Sequence, residues 1–236
     1  MVNVVVVSGG LGVPSSSRML ADSLAEAARA EIGERGLDAT VATFELREYA
    51  VDIANAMVTG YAPPKLQALI DQVVAADALV AVTPVFTASM SGLFKSFFDV
   101  IDNTALDGKP VLIGATGGSP RHSMVLDYSL RPMFSYLRAR VAPTGVYAAP
   151  GDWGAGEAGA GPLDARVRRA AGELAALLTD GSGSGKAAPG ALRQEAQQPG
   201  AAAQPPATSA DRTRQGLPRL APSLPFEELL AQTQRK

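Results

Sequence analysis

Residues 4–7 are four consecutive valines that stop at Ser8, and the next ten positions hold Gly9, Gly10, Gly12, Pro14, three serines and Arg18. Beyond them Leu20, Leu24, Ala27, Ala28 and Ile32 recur at helical spacing, and Gly33 and Gly36 close that pattern. A short β-branched run bounded by glycine reads as a buried strand. The stretch after it reads as a tight loop feeding the start of a helix. Such a start has backbone N–H groups outside the helical hydrogen bonds and the positive end of the helix dipole, which together favour an anion. Ser15, Ser16 and Ser17 add hydroxyls and Arg18 adds a charge, so the stretch is a candidate phosphate cradle. The segment contains neither GxxxxGK[ST] nor GxGxxG, which separates it from a nucleoside-triphosphate loop and from the dinucleotide fingerprint. The same serines also suit plain helix capping. The loop taken alone leaves both readings open.

The rest of the chain repeats the strand-then-helix pattern. Residues 39–44 read as a second strand. Residues 45–60, with Leu46, Tyr49, Ile53 and Met57, read as a short helix or a structured excursion. Pro63 and Pro64 open a helix whose apolar face is Leu66, Leu69, Ile70, Val73 and Val74. Residues 78–82 have almost no polar side chain, as expected of a parallel strand covered by helices on both faces. A loop over 83–91, TPVFTASMS, precedes a helix over 92–102. The turn Asp107-Gly108 leads to a fourth strand at 111–115, then to the loop Thr116-Gly117-Gly118-Ser119. Residues 120–137 outline a long helix that Pro132 must kink or divide. A fifth strand at 141–147 and a glycine-rich stretch at 151–161 lead to a last helix with Val167, Ala170, Ala171, Leu174, Leu177 and Leu178 inward. Five such alternations predict a doubly wound α/β sheet. Ligands of such sheets bind at the carboxyl ends of the strands, beside the switch in strand order. The loops after the first, third and fourth strands, all rich in Gly, Ser and Thr, belong to that edge.

Several function classes are excluded or disfavoured. The chain has no Cys, and His122 is its only His, which removes thiol chemistry and argues against a zinc site. A net charge of −2 leaves no broad basic surface for nucleic acid. No apolar run reaches the roughly 18–20 residues of a membrane span, and the first residues lack a basic n-region, so a cytoplasmic protein is expected. Composition breaks near Gly181. Residues 1–180 carry net −5 and are expected to form one domain, whereas residues 181–236 carry net +3. The latter are rich in Gly, Pro, Gln and Ala, which predicts a low-complexity, disordered tail. Its end, LPFEELL at 224–230, is short and amphipathic and either docks back on the domain or on a second subunit, or stays free. Within 123–137, Met124, Leu126, Tyr128, Leu130, Met133, Phe134, Tyr136 and Leu137 exceed what one face against a sheet requires. They predict contact with a second copy of the chain, or else an intramolecular groove under the Pro132 kink.

Three segments carry a family resemblance over residues 2–178: SGGLGVPSSSR, TPVFTASMSGLFKSFFD, and KPVLIGATGGSPRH followed by LDYSLRPMFSYL. They resemble the NAD(P)H-dependent FMN reductases of the flavodoxin-like fold. More narrowly, they resemble the reductase components that hand reduced flavin to separate monooxygenases. The resemblance implies a five-stranded parallel sheet in the order 2-1-3-4-5, FMN and NAD(P)H as cofactors, and a homodimer or homotetramer. It implies that Ser8, Ser15, Ser16, Ser17 and Arg18 bind the FMN phosphate. It places Pro84, Val85, Phe86 and Thr87 along the isoalloxazine, and Thr116, Gly117, Gly118 and Ser119 near its pyrimidine side. Phe86 departs from the family's usual Tyr, which keeps stacking and removes a hydroxyl. No side chain is assigned as catalytic, because the two cofactors carry the hydride chemistry. Arg121 could meet a dinucleotide phosphate and His122 could border the flavin, although a surface Arg and a capping His are the plainer readings. The competing functions are a flavodoxin-type electron carrier, a quinone or azo reductase, and a non-enzymatic module whose tail recruits a partner.

Overall fold

The computed structural model describes residues 1–153 and 162–180. Residues 154–161 of the glycine-rich stretch, and the whole of 181–236 with its amphipathic end, lie outside the described residues. In chain order the elements are β1 (Val2–Ser8), α1 (Ser16–Glu34) and β2 (Ala39–Glu45). A 3-10 turn over Leu46–Tyr49 leads into α2 (Ala50–Thr59), so the 45–60 segment is helical, and Gly60 ends it in the left-handed region at φ 71°. Then follow α3 (Pro64–Ala75), β3 (Ala78–Phe86), β4 (Ser89–Met90), α4 (Gly92–Asp99) and β5 (Pro110–Thr116). The last elements are α5 (Arg131–Tyr136), β6 (Arg140–Val141), β7 (Val146–Ala148) and α6 (Pro162–Asp180).

The sheet runs β2-β1-β3-β5-β6, with parallel pairing throughout that path. This is the flavodoxin-like 2-1-3-4-5 order. It has seven strands rather than five, because β6 and β7 share the fifth position and β4 adds an antiparallel pair to the end of β3. The strands alternate between two cores. Val4, Val6, Val80, Val82 and Leu112 pack under α1 and α6. Val5, Val7, Leu79, Ala81 and Ile113 pack under α2, α3, α4 and α5. On that second face Phe98 joins Phe94 and Phe134, with ring centroids 4.9 and 5.0 Å away. Phe94 and Phe134 are fully buried, and truncating either to Ala would cost about 3–5 kcal/mol.

Three sequence expectations need correction. Residues 83–86 are not loop: β3 continues to Phe86, and residues 87–88 turn the chain back into β4. Thr87 and Ala88 both have positive φ, at 49° and 63°, as the two central residues of a tight hairpin with the strand twist require. Residues 120–137 are not one helix. A 3-10 turn (Pro120–Met124) and a π turn (Leu126–Leu130) precede α5. Pro132 has no N–H to donate and its ring crowds the carbonyl four residues back, so the widened turn lies just ahead of it. The fifth strand is broken between Val141 and Val146. There Pro143 has no ladder donor, and Thr144 turns to α6, donating its N–H and its hydroxyl to Glu173 at 2.6 and 2.8 Å.

Candidate functional site

The first loop joins the carboxyl end of β1 to α1. Ser15 is the N-cap, and its Oγ accepts a hydrogen bond from the Arg18 N–H at 3.2 Å. Helix geometry leaves the N–H groups of Ser16 and Ser17 outside the intrahelical bonds. A Cβ on Gly10 would overlap Ser15 Oγ, so only glycine allows this cap to close. Ser16 is exposed, and Ser17 is buried. Ser8 is buried at the end of β1, following Val4 and Val6 on the α1 side of the sheet. Its hydroxyl has no hydrogen-bond partner among the described residues. Arg18 lies over the first turn of α1, where its Nε donates to both Asp22 oxygens at 2.8 and 2.9 Å and its Nη1 comes within 3.7 Å of Glu45. The hydrogen bond to Asp22, opposed in part by burial, pushes its pKa further up.

Two residues of this edge were not legible in the sequence. Arg47, just past β2, donates to the Gly12 carbonyl at 2.8 Å and to Glu45 at 2.6 Å, fastening the outer part of the first loop to the end of β2. An arginine in a 3-10 turn carries no local sign of a partner 35 positions away. The second is Tyr147, whose hydroxyl meets the third loop.

The second segment is the end of β3 and its hairpin. Thr83 is buried, and its Oγ1 accepts from the Ser91 N–H at 3.0 Å, while Ser91 Oγ caps α4 by accepting from the Phe94 N–H at 3.2 Å. Together they hold the hairpin base to α4. Pro84 and Val85 are half-buried, whereas Phe86, Thr87 and Ala88 are exposed, with Phe86 at 46%. The hairpin also touches the π turn through Ser89 Oγ and Ser129 Oγ, 3.2 Å apart.

The third loop leaves β5 at Thr116, which is buried, and runs through half-buried Gly117, exposed Gly118 and half-buried Ser119. The sheet registers Pro84 beside Thr116. Ser17 Oγ and Thr116 Oγ1 are 2.7 Å apart, a buried hydroxyl pair joining the start of α1 to the end of β5. A Cβ on Gly117 would sit 3.4 Å from the Val85 Cβ. The structure thus brings all three predicted loops to one edge and links the first and second each to the third. Ser119 Oγ caps the turn beyond by accepting from the Arg121 N–H, and Arg121 and His122 are exposed on that turn. Beneath the loop, the Tyr147 hydroxyl donates to the Ser119 carbonyl at 2.7 Å.

Comparison with known proteins agrees with this architecture. Residues 2–154 match the family model described as NADPH-dependent FMN reductase. An FMN reductase (NADPH) of Pseudomonas aeruginosa is 41% identical over 175 residues, spanning 74% of this chain and 91% of that protein. An NADH-dependent FMN reductase of Pseudomonas putida, SfnE, is 42% identical over 169 residues, spanning 72% of this chain and 88% of that protein. Among solved structures, an oxidoreductase from Corynebacterium diphtheriae superposes with a TM-score of 0.71 at 48% identity, covering 76% of this chain and 98% of that one. With the switch-point edge, its three joined loops and these likenesses in hand, the chain belongs to the NADPH-dependent FMN reductase family, oxidoreductases that use NAD(P)H and FMN.

Proposed function

We propose that this chain reduces FMN with NAD(P)H and releases it, so that reduced FMN reaches a separate flavin-dependent monooxygenase. The observation that carries the reading is the Ser17–Thr116 hydroxyl pair at 2.7 Å, which joins the start of α1 to the glycine loop so that one ligand can span both. The residues suit a phosphorylated flavin. The buried Ser8 hydroxyl has no partner among the described residues, and leaving such a group unpaired costs about 1–3 kcal/mol. It lies on the α1 side of the sheet, where a phosphate oxygen would be a matching acceptor.

In this reading Ser8, Ser15, Ser16, Ser17 and Arg18 hold the phosphate. Pro84, Val85, Phe86 and Thr87 line the ring, and Thr116, Gly117, Gly118 and Ser119 lie along its pyrimidine side, with the Gly117 N–H already given to the Ala148 carbonyl. Bound there, FMN would supply the hydride-acceptor chemistry and NAD(P)H the hydride. The protein contributes orientation, worth several kcal/mol when reacting atoms are held in line. Leu11, Val13, Phe86, Thr87, Ala88 and Gly118 leave an exposed rim, which supports exchange of flavin with solution. Met124, Tyr128 and Tyr136, exposed at 58, 75 and 73%, support a homodimer or homotetramer.

The test is anaerobic reduction of excess FMN by NADPH or NADH with the full chain, followed by ultrafiltration. Many FMN equivalents reduced per chain and recovered in the filtrate are expected. Reduction that stops at one equivalent per chain would assign a flavodoxin-type carrier. A quinone or azo dye turned over faster than FMN would assign that reductase class instead.

A further inference from the structure

Tyr147 is the middle residue of β7, beside Ala115 of β5, with its ring in the core of the face that carries α2 to α5. A phenylalanine would fill that core position equally well, so the hydroxyl has a separate use. It donates to the Ser119 carbonyl, which also accepts the His122 N–H at 3.2 Å. Tyr147 is itself braced from behind. Its carbonyl accepts from Arg166 Nη1 at 2.9 Å, Arg166 Nη2 pairs with Asp152 at 2.5 Å, and Asp152 accepts the Ala149 N–H at 2.7 Å. Burial, with Asp152 nearby, pushes the phenol pKa up against the pull of the Ser119 contact, so the hydroxyl stays a donor at physiological pH.

The same hydroxyl explains Gly117. Gly117 is not among the residues of positive φ, so its backbone would accept an alanine. Space is the obstacle, because a Cβ there would overlap the Tyr147 hydroxyl oxygen. Without that oxygen the nearest atoms would be Tyr147 Cζ and Val85 Cβ, both at 3.4 Å, which is ordinary contact. Gly117 is meanwhile tied to β7 by its N–H, which donates to the Ala148 carbonyl at 3.2 Å.

We propose that Tyr147 is a positioning residue for the flavin ring, its hydroxyl holding residues 117–119 at the height at which they meet the ligand and excluding every side chain at position 117. The proposal rests on the reading of that loop as the pyrimidine-side contact. Arg166 and Asp152 set the position of Tyr147 in turn.

The experiment titrates riboflavin and FMN against the full chain as wild type, Tyr147→Phe, Gly117→Ala and the double variant, with a melting temperature for each. Loss of one neutral hydrogen bond in Tyr147→Phe should raise both dissociation constants by about 2- to 12-fold. Gly117→Ala should raise them further. The double variant should bind both flavins more tightly than Gly117→Ala, because removing the oxygen makes room for the methyl group. If Gly117→Ala fails to fold, folding of the double variant is the same rescue. The FMN-to-riboflavin affinity ratio should stay at the wild-type value throughout, since the phosphate cradle is untouched. Losses that simply add, or a Tyr147→Phe chain with wild-type affinity, would overturn the proposal while leaving the flavin site standing. A wild-type chain that binds neither flavin would overturn both.

Discussion

Arg18 shows how one side chain can be occupied and available at once. Its contact with Asp22 is a partly exposed i,i+4 ion pair, of a kind worth about 0.3–0.5 kcal/mol. A charge-assisted hydrogen bond to a phosphate is worth about 1.5–3 kcal/mol, so in the proposed phosphate role Arg18 would exchange the ion pair for the anion. Arg18→Ala combined with Ser16→Ala should therefore weaken FMN about 10- to 150-fold. Riboflavin, which lacks the phosphate, should bind as to wild type. Fluorescence titration of both flavins checks this, and equal losses for the two would mean that the loop had collapsed. Ser15 and Arg18 were readable in the sequence because a cap and a first turn are local. The inward turn of Ser17 to Thr116 was not, since its partner is 99 positions away.

Among the elements, the broken fifth strand depends on α6. Glu173 takes both donors of Thr144 and is also met by Arg169 at 3.2 Å. Burial alone would push its pKa up, but the Thr144 amide and hydroxyl, with Arg169, hold it below the ordinary value of 4.5. A carboxylate held down in the folded state stabilises the fold above its unfolded pKa, and that contribution is lost as pH falls through the folded value. Glu173→Ala should cost about 1.5–3 kcal/mol at neutral pH. The gap in melting temperature between it and wild type should close as pH is lowered below 4.5. A gap that is constant with pH would show that the charge is not what matters. The break itself could not be read from the valines and tyrosine of 141–147, because their apolar pattern is that of a strand. Pro143 was the local sign, and the missing information was that α6 offered another acceptor. Pro132 was legible as a disruption in the same way, but whether it would bend one helix or yield three successive turns depended on packing. Val125, Leu126, Leu130, Phe134 and Leu137 are buried, and the chain winds as it must to bury them.

For the whole molecule, Leu126, Leu130, Phe134 and Leu137 are buried and Met133 is half-buried, which answers part of the apolar excess in 123–137, and Met124, Tyr128 and Tyr136 remain outside. Exposed apolar and aromatic side chains of this kind suit the proposed contact with a second copy of the chain. Tyr128→Asp should lower the mass seen by light scattering at equal concentration, without loss of the melting transition. A wild-type monomer at micromolar concentration would remove the assembly from the reading, and an intact oligomer in the variant would move the contact elsewhere.

The alternation of strands and helices, a serine-rich helix start after the first strand, and the glycine loop after the fourth were determined by the sequence alone. Each is written in short-range signals: a run of valines, a 3.6-residue repeat, a glycine beside serines. Tertiary structure decided where hydrogen bonds went once those elements met. β3 runs on to Phe86 because β5 lies beside Thr83 and Pro84 and β4 folds back on Val85 and Phe86. Arg47 reaches Gly12 across 35 positions, and Tyr147 reaches Ser119 across 28. A donor's partner is whichever acceptor the sheet brings within about 3 Å, and for these groups that acceptor is remote in sequence and close only after folding.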